Sequence, residues 1–186
     1  MKSERNRVCP VEFAGSLDNR LRKWIQNPQR ILSPFIKEGM KVLDIGCGPG
    51  FFSIELAKMV GSSGKIYAVD LQEGMLEKLR NKIQHTELEE RIILIKSEQN
   101  RIIVPEKVDF ILAFYMVHEV PDKVEFFTTL KGILVNRGLF LLVEPKLFHV
   151  SKKDFARTIE QARQIGFEVF RYPRIHFSFS AVFNNT

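Results

Sequence analysis

The sequence predicts an α/β fold: a mostly parallel sheet with helices on both faces and an antiparallel hairpin at its C-terminal end. Three observations lead there. Short apolar runs alternate with stretches of helical period along most of the chain. One of these runs, Val108 to Phe114, is almost continuously apolar, as expected of a strand covered on both faces. From Ile175 onward the apolar period falls to two, the mark of a strand with one buried face.

In chain order, residues 16–27 and 29–37 read as two short helices, punctuated by Pro28 and Pro34. Val42 to Ile45 is a short apolar strand that ends in glycines, and residues 51–60 form a helix with Phe52, Leu56 and Met59 on one side. Gly61-Ser62-Ser63-Gly64 turns the chain into a second strand, Lys65 to Val69, closed by Asp70. Residues 72–85 form a helix with Met75, Leu79 and Ile83 at every fourth position. Ile92 to Ile95 is the third strand and Val108 to Phe114 the fourth. Residues 122–135 are helical, Gly138 opens a fifth strand from Leu139 to Val143, and residues 151–165 form the last helix, with Gly166 as its C-terminal cap. Phe167 to Tyr172 and Ile175 to Phe183 make the closing hairpin.

A chain of 186 residues suits one domain, and 45% hydrophobic with 27% charged residues is ordinary for a globular protein. No apolar run is long enough to span a membrane and no apolar leader follows Met1, so a cytoplasmic location is the default expectation. Cys9 and Cys47 have neither metal-ligand nor disulfide spacing; no metal is expected, and a reducing compartment fits. The net charge of +6 is uneven: residues 1–41 carry nine basic and four acidic side chains, and residues 146–186 carry seven and three. Basic ends can draw an anionic substrate or nucleic acid, but the charges are scattered without a dense run, which favours solvated helix faces.

The stretch that carries chemistry is Val42-Leu43-Asp44-Ile45-Gly46-Cys47-Gly48-Pro49-Gly50-Phe51. A buried strand enters a glycine turn that opens a helix, the general arrangement of nucleotide sites in doubly wound folds. Its G-x-G-x-G spacing differs from the dinucleotide G-x-G-x-x-G, and Asp44 would repel a pyrophosphate. A carboxylate there suits a ligand bearing an ammonium and a sulfonium, and S-adenosyl-L-methionine carries both. Asp70 falls 20 residues after Gly50 at a strand end, where it either accepts both ribose hydroxyls or caps the next helix; beside the glycine loop, the ribose role is favoured. Leu71 and Met75 follow and can flank an adenine.

These residues resemble the class I S-adenosylmethionine-dependent methyltransferases, and among them the small-molecule branch around quinone C-methylases and arsenite methyltransferases. The resemblance runs from Ile36 to Phe183 and rests on VLDIGCGPGFFS (42–53), IYAVDLQEGML (66–76), Ser97-Glu98, DFILAFYMVHEV (109–120) and LFLLVEP (139–145). It implies a Rossmann-like methyltransferase fold with seven strands in the order 3-2-1-4-5-7-6. It also implies that Gly46, Cys47, Gly48 and Gly50 line the methionine and ribose part of the cofactor. Asp44 then holds the amino end, Asp70 the ribose, and Ser97 and Glu98 approach the adenine, while Phe114 and Tyr115 sit beside the reacting methyl. No Asn/Asp-Pro-Pro-aromatic motif follows the fourth strand, which argues against DNA amino-methylation, and outside the cofactor loop only Cys9 is left to hold a metalloid.

The expected activity is direct in-line methyl transfer to a small-molecule acceptor, which asks the protein to align partners, exclude water and manage a proton. His118 is the candidate base, with Glu119 orienting it or binding a cationic substrate; both can instead cap the loop. His118-Glu119 is followed by Val120-Pro121-Asp122, so this is no zinc helix. Glu144, Lys146 and His149 lie at or after the fifth strand's end, where substrate groups reside or where strand-end polarity suffices. Cys9 has a thiol or metal-linked role or none, Trp24 covers the ligand or anchors its helix, and His85 and His176 are assigned no role. Residues 37–186 form the cofactor-binding core and residues 1–36 a helical lid, since Leu17, Leu21, Trp24 and Ile25 recur at helical spacing with Arg20, Arg22 and Lys23 between them. The rival functions are an RNA-modifying methyltransferase, a nicotinamide-dependent oxidoreductase and a non-catalytic cofactor-binding protein. Glycine spacing and Asp44 oppose the oxidoreductase, and the intact loop opposes the non-catalytic protein.

Overall fold

A computed structural model describes residues 25–98, 101–146 and 150–186. Within them the chain forms α1 (Pro28–Leu32), β1 (Lys41–Ile45), α2 (Ser53–Met59), β2 (Lys65–Asp70), α3 (Glu73–Ile83), β3 (Ile92–Lys96) and β4 (Val108–Phe114). A 3-10 turn (Val117–Glu119) follows, then α4 (Lys123–Ile133), β5 (Leu134–Pro145), α5 (Lys152–Gln164), β6 (Phe167–Arg171) and β7 (Ser178–Asn185). The seven strands make one sheet in the order β3-β2-β1-β4-β5-β7-β6. The β3-β2, β2-β1, β1-β4 and β4-β5 pairs are parallel, and β7 pairs antiparallel with both β5 and β6. β7 alone therefore runs against the others, and β6 is the edge.

The period of two sorts the strand residues onto two cores. Val42, Phe110, Leu112, Phe114, Leu141 and Val143 face one, closed by Leu32 of α1, Leu56 of α2 and Leu76, Leu79 and Ile83 of α3. Leu43, Ile45, Ile111, Ala113, Phe140 and Leu142 face the other, closed by Phe127 and Leu130 of α4 and Phe155 and Ile159 of α5. Burial on both faces explains why β1, β4 and β5 read as continuous apolar runs.

Four elements depart from the sequence expectation, each for a local reason. α1 stops at Leu32 rather than 37: Ser33 keeps helical backbone as the C-cap, and Pro34 after it has no N–H to carry the helical hydrogen bonds further. α2 begins only at Ser53, and Phe51 and Phe52 belong to the preceding turn. α4 ends at Ile133 and extended chain starts at Leu134. It bends at Arg137 (φ 62°) and Gly138 before regular pairing with β4 resumes at Leu139 opposite Phe110. β7 begins at Ser178, not Ile175, because Phe177 (φ 54°) turns the chain and stays exposed. The expectation of one buried face for β7 is also corrected. Lying between β5 and β6, it buries Ala181 and Phe183 on one side and Ser178, Ser180 and Val182 on the other. The two hydroxyls are satisfied by the carbonyls of His176 and Pro173. Gly166 does close α5, at φ 94°, its N–H bound to Arg163 O at 2.8 Å.

Candidate functional site

The strand order reverses between β1 and β4, and in open α/β sheets ligands bind outside the carboxyl ends of the strands at such a point. The glycine loop leaves β1 there. Gly46 and Cys47 donate to Val69 O at 2.8 and 3.0 Å, tying the loop to the end of β2. Gly46, Gly48 and Gly50 all have positive φ (71°, 53° and 88°), which L side chains rarely adopt. Their surroundings differ. A Cβ at Gly46 would lie 2.9 Å from Met116 and one at Gly50 only 2.3 Å from Leu79, whereas one at Gly48 would meet nothing within 4 Å among the described residues. Gly46 and Gly50 are thus glycines for packing, and Gly48 presents bare backbone to open space.

The loop's polar groups are held from behind. Asp44 is buried and accepts from Ser53 Oγ of α2 at 2.5 Å. Cys47 turns its side chain into the core beside Phe51 and Phe52; burial, then the charges of Asp44 and Asp70, push its thiol well above the ordinary range, so it is no nucleophile. Asp70 accepts from Gly48 N at 2.8 Å on one oxygen and from Gln72 N at 2.9 Å on the other. The ribose and capping roles are therefore not exclusive: Asp70 braces the loop and the start of α3 with one lone pair per oxygen and keeps others for a diol. Burial pushes its carboxyl up, opposed by the N–H groups of Gln72, Gly48 and Leu71. Leu71 is 39% exposed beside it, while Met75 is buried. Ser97 N donates to Asp70 O at 3.0 Å, so Ser97 borders the same crevice; Glu98 is exposed and pairs through its backbone with Arg101.

At the end of β4 the aromatic rings run in a row: Phe51, Phe52, Phe114 and Tyr115, with successive centroids 5.0, 4.3 and 4.5 Å apart. Tyr115 sits at φ 61°, a costly backbone conformation for a bulky residue. Its hydroxyl is fixed between Gln26 Nε2 and Ser178 Oγ, both at 2.6 Å. Met116 follows and packs on Gly46, so the β4 tip touches the glycine loop.

Two residues on, His118 Nδ1 lies 2.5 Å from Glu144 Oε2, and Glu144 Oε1 accepts from Val117 N at 2.9 Å. Glu144, the next-to-last residue of β5, is 2% exposed. Glu119 Oε1 is 3.9 Å from His118 Nε2. Burial pulls the imidazole pKa down, but the hydrogen bond and charge of Glu144 and the charge of Glu119 outweigh this, and Lys123 opposes them; the net shift is upward. Sequence reasoning singled out both His118 and Glu144 but did not pair them. Parallel pairing of β4 with β5 puts Phe114 opposite Val143, which brings the two tips together; no local pattern encodes that.

His85 donates its backbone N–H to Glu89, and Lys146 lies over the Phe179 ring at 5.3 Å. Cys9, Leu17, Leu21, Trp24 and His149, and with them nearly all of the expected first helix, lie outside the described residues. Among the described residues no group of three or more His, Cys, Asp or Glu is gathered to hold a metal, and no helix is long and apolar enough to cross a membrane.

A glycine loop and a strand-end acid meeting at the switch point, under this strand order, define a Rossmann-like fold of the methyltransferase type. Comparison with known proteins agrees. A methyltransferase domain model matches residues 36–170. The chain is 31% identical over 111 residues to a probable cobalt-precorrin-6B C(15)-methyltransferase (decarboxylating) of Saccharolobus solfataricus, covering 59% of this chain and 54% of that protein. It is 26% identical over 130 residues to a demethylmenaquinone methyltransferase of Bacillus subtilis, covering 68% and 55%. The chain thus spans about half the length of these curated relatives. A SAM-dependent methyltransferase structure from Aquifex aeolicus superposes with a TM-score of 0.86 at 28% identity, covering 96% of this chain and all of that one. The chain belongs to the methyltransferase domain family, among the S-adenosylmethionine-dependent methyltransferases.

Proposed function

We propose that this chain transfers a methyl group from S-adenosylmethionine to a small-molecule acceptor. The observation that carries the cofactor assignment is Gly48. Its N–H is held by Asp70 and its Cα faces space that no atom of the described residues fills, while the neighbouring glycines are packed. The chain therefore keeps a cradle that a Cβ would obstruct, and a carboxylate borders it; these residues fit the cofactor. When bound, S-adenosylmethionine supplies an electrophilic methyl on a sulfonium. Gly46, Cys47, Gly48 and Gly50 hold its methionine portion with Asp44 behind them, and Asp70 takes the ribose. Leu71 and Met75 flank the adenine, with Ser97 and Glu98 at its edge.

Phe114 and Tyr115 shape the transfer side of the crevice, and His118 takes the acceptor's proton with Glu119 beside it. Residues 1–36 act as a lid, which the bond from Gln26 to Tyr115 supports by joining that segment to the β4 tip. The relatives named for methylation of a precorrin and of demethylmenaquinone support a small acceptor. The test is calorimetry with S-adenosylhomocysteine, followed by a labelled-methyl screen over thiols, phenols, amines and RNA. Micromolar binding with label in a small molecule is expected; no binding overturns the cofactor assignment, and label only in RNA overturns the acceptor class.

A further inference from the structure

The pairing of His118 with Glu144 has a chemical consequence beyond the choice of a base. We propose that Glu144 is the positioning residue of a proton-accepting dyad with His118, built to take a proton beside a cationic cofactor from an acceptor whose attacking atom bears a weakly acidic hydrogen. This deepens the methyl-transfer assignment above and rests on it.

Both carboxylate oxygens of Glu144 are engaged. Glu144 Oε1 is occupied by the Val117 N–H at 2.9 Å, so the carboxylate cannot rotate away. Oε2, at 2.5 Å from Nδ1, accepts, which puts the ring hydrogen on Nδ1 and the lone pair on Nε2. The carboxylate is almost wholly buried and His118 only partly so, which leaves the imidazole as the member of the pair that meets solvent and ligand. Met116, two residues before His118, packs against Gly46, so the dyad stands at the rim of the cofactor loop.

Charge supplies the second part. An imidazolium formed near a sulfonium would add one cation to another in a crevice of low dielectric. With Glu144 behind it, protonation converts a pair of net charge −1 into a neutral one. Among the described residues, the groups facing the imidazole are Glu144 from β5, Glu119 from its own turn and Lys123 from α4. In the step itself the acceptor's X–H bond breaks, its electron pair stays on X, and the proton bonds to His118 Nε2 while the Nδ1 hydrogen remains on Nδ1. No further reactant is needed. A base held above the ordinary imidazole range lies nearer to thiols and phenols, with pKa near about 8.5–10, than an unassisted imidazole does.

The experiment follows His118 by long-range ¹H–¹⁵N correlation NMR in the whole protein labelled at histidine nitrogen. In the protein alone, the neutral ring should carry its hydrogen on Nδ1. In Glu144→Gln, the amide oxygen accepts from Val117 and the NH₂ faces Nδ1, so the hydrogen should move to Nε2 and the titration midpoint should fall. Glu144→Asp, which keeps the charge, should restore much of the midpoint if the glutamine variant proves unstable. Saturation with S-adenosylmethionine should lower the His118 midpoint by about a unit relative to S-adenosylhomocysteine, which lacks the positive charge. An unchanged tautomer and midpoint in Glu144→Gln overturns the dyad. Equal midpoints with the two bound ligands overturn its place beside the transferred methyl. Failure of both ligands to bind defeats the cofactor assignment itself, a result distinct from either. In the acceptor screen, preference for a thioether or tertiary amine, which has no hydrogen to lose, overturns the acceptor class, and preference for a phenol or thiol supports it.

Discussion

Alanine at Gly48 and at Gly50 separates ligand space from packing space. At Gly48 the new methyl meets nothing within 4 Å among the described residues, so the folded state bears only the backbone term at φ 53°. For a non-glycine residue in left-handed backbone that is about 1–2 kcal/mol. At Gly50 the methyl would lie 2.3 Å from Leu79 Cδ1, in the middle of α3's buried face, at φ 88°. Overpacking adds about 1–3 kcal/mol to the backbone term, for a total of about 2–5 kcal/mol. Urea unfolding should therefore rank Gly50→Ala well below Gly48→Ala in stability. Calorimetry with S-adenosylhomocysteine should give the opposite ranking per unit of stability lost. Gly48→Ala should bind at least about 100-fold more weakly, roughly 2.7 kcal/mol, although its fold is nearly intact. The reasoning fails if Gly48→Ala binds within about threefold of wild type, or if it unfolds as readily as Gly50→Ala.

Asp70→Ala should weaken S-adenosylhomocysteine binding by about 1.5–3 kcal/mol, read by calorimetry, and an unaltered affinity would reduce Asp70 to a brace for Gly48. His118→Ala should leave that affinity nearly intact and cut turnover by about 10²–10⁴-fold; a loss below about tenfold would make it a loop cap. Because its folded-state pKa is raised, His118 binds protons more tightly folded than unfolded. Its contribution to stability is complete below the unfolded pKa of about 6.5 and is lost as pH rises through the folded value. Wild type should accordingly lose stability relative to His118→Gln across that window, and a parallel pH profile would refute the pairing. Deleting residues 1–27, which removes Gln26 from the Tyr115 hydroxyl, should spare the fold and much cofactor binding but abolish transfer; full turnover in the truncated protein would refute the lid.

Legibility in the sequence followed the range of the interaction. The glycine loop and Asp70 were readable because each is a local device: a strand, a turn and a helix start within ten residues, and an acid at the next strand end. The central strands were readable as short apolar runs, and Gly166 from its place after an amphipathic helix. Phe177 was not, since its positive φ (54°) comes from how β7 must enter between β5 and β6, and the alternation of phenylalanines runs straight through it. The Tyr115 bond to Ser178, 63 residues apart, was equally hidden, as was the Glu144 bond to His118, 26 apart. Sequence showed a histidine and a glutamate at two strand ends; only the register of β4 on β5 makes them one unit.

That register also explains how the site divides its labour. β1, β2 and β3 lie on one side of the switch point, and their tips carry Asp44, the glycine loop, Asp70 and Ser97, the groups assigned to binding. β4 and β5 lie on the other side, and their tips carry Tyr115, His118 and Glu144, the groups assigned to the acceptor and its proton. The two halves meet where Met116 fills the space against Gly46. A side chain at Gly46 would push the β4 tip outward and carry His118 with it, since only Val117 intervenes between Met116 and His118. Gly46→Ala should therefore disturb the His118 resonance and its pH midpoint, even though residue 46 bears no ionisable group and the nearest atoms to its new methyl belong to Met116. Gly48→Ala, whose methyl reaches nothing among the described residues, should leave that resonance in place. A His118 signal indifferent to Gly46→Ala would mean that the binding and proton-handling halves are mechanically independent, and the loop contact would then be packing alone.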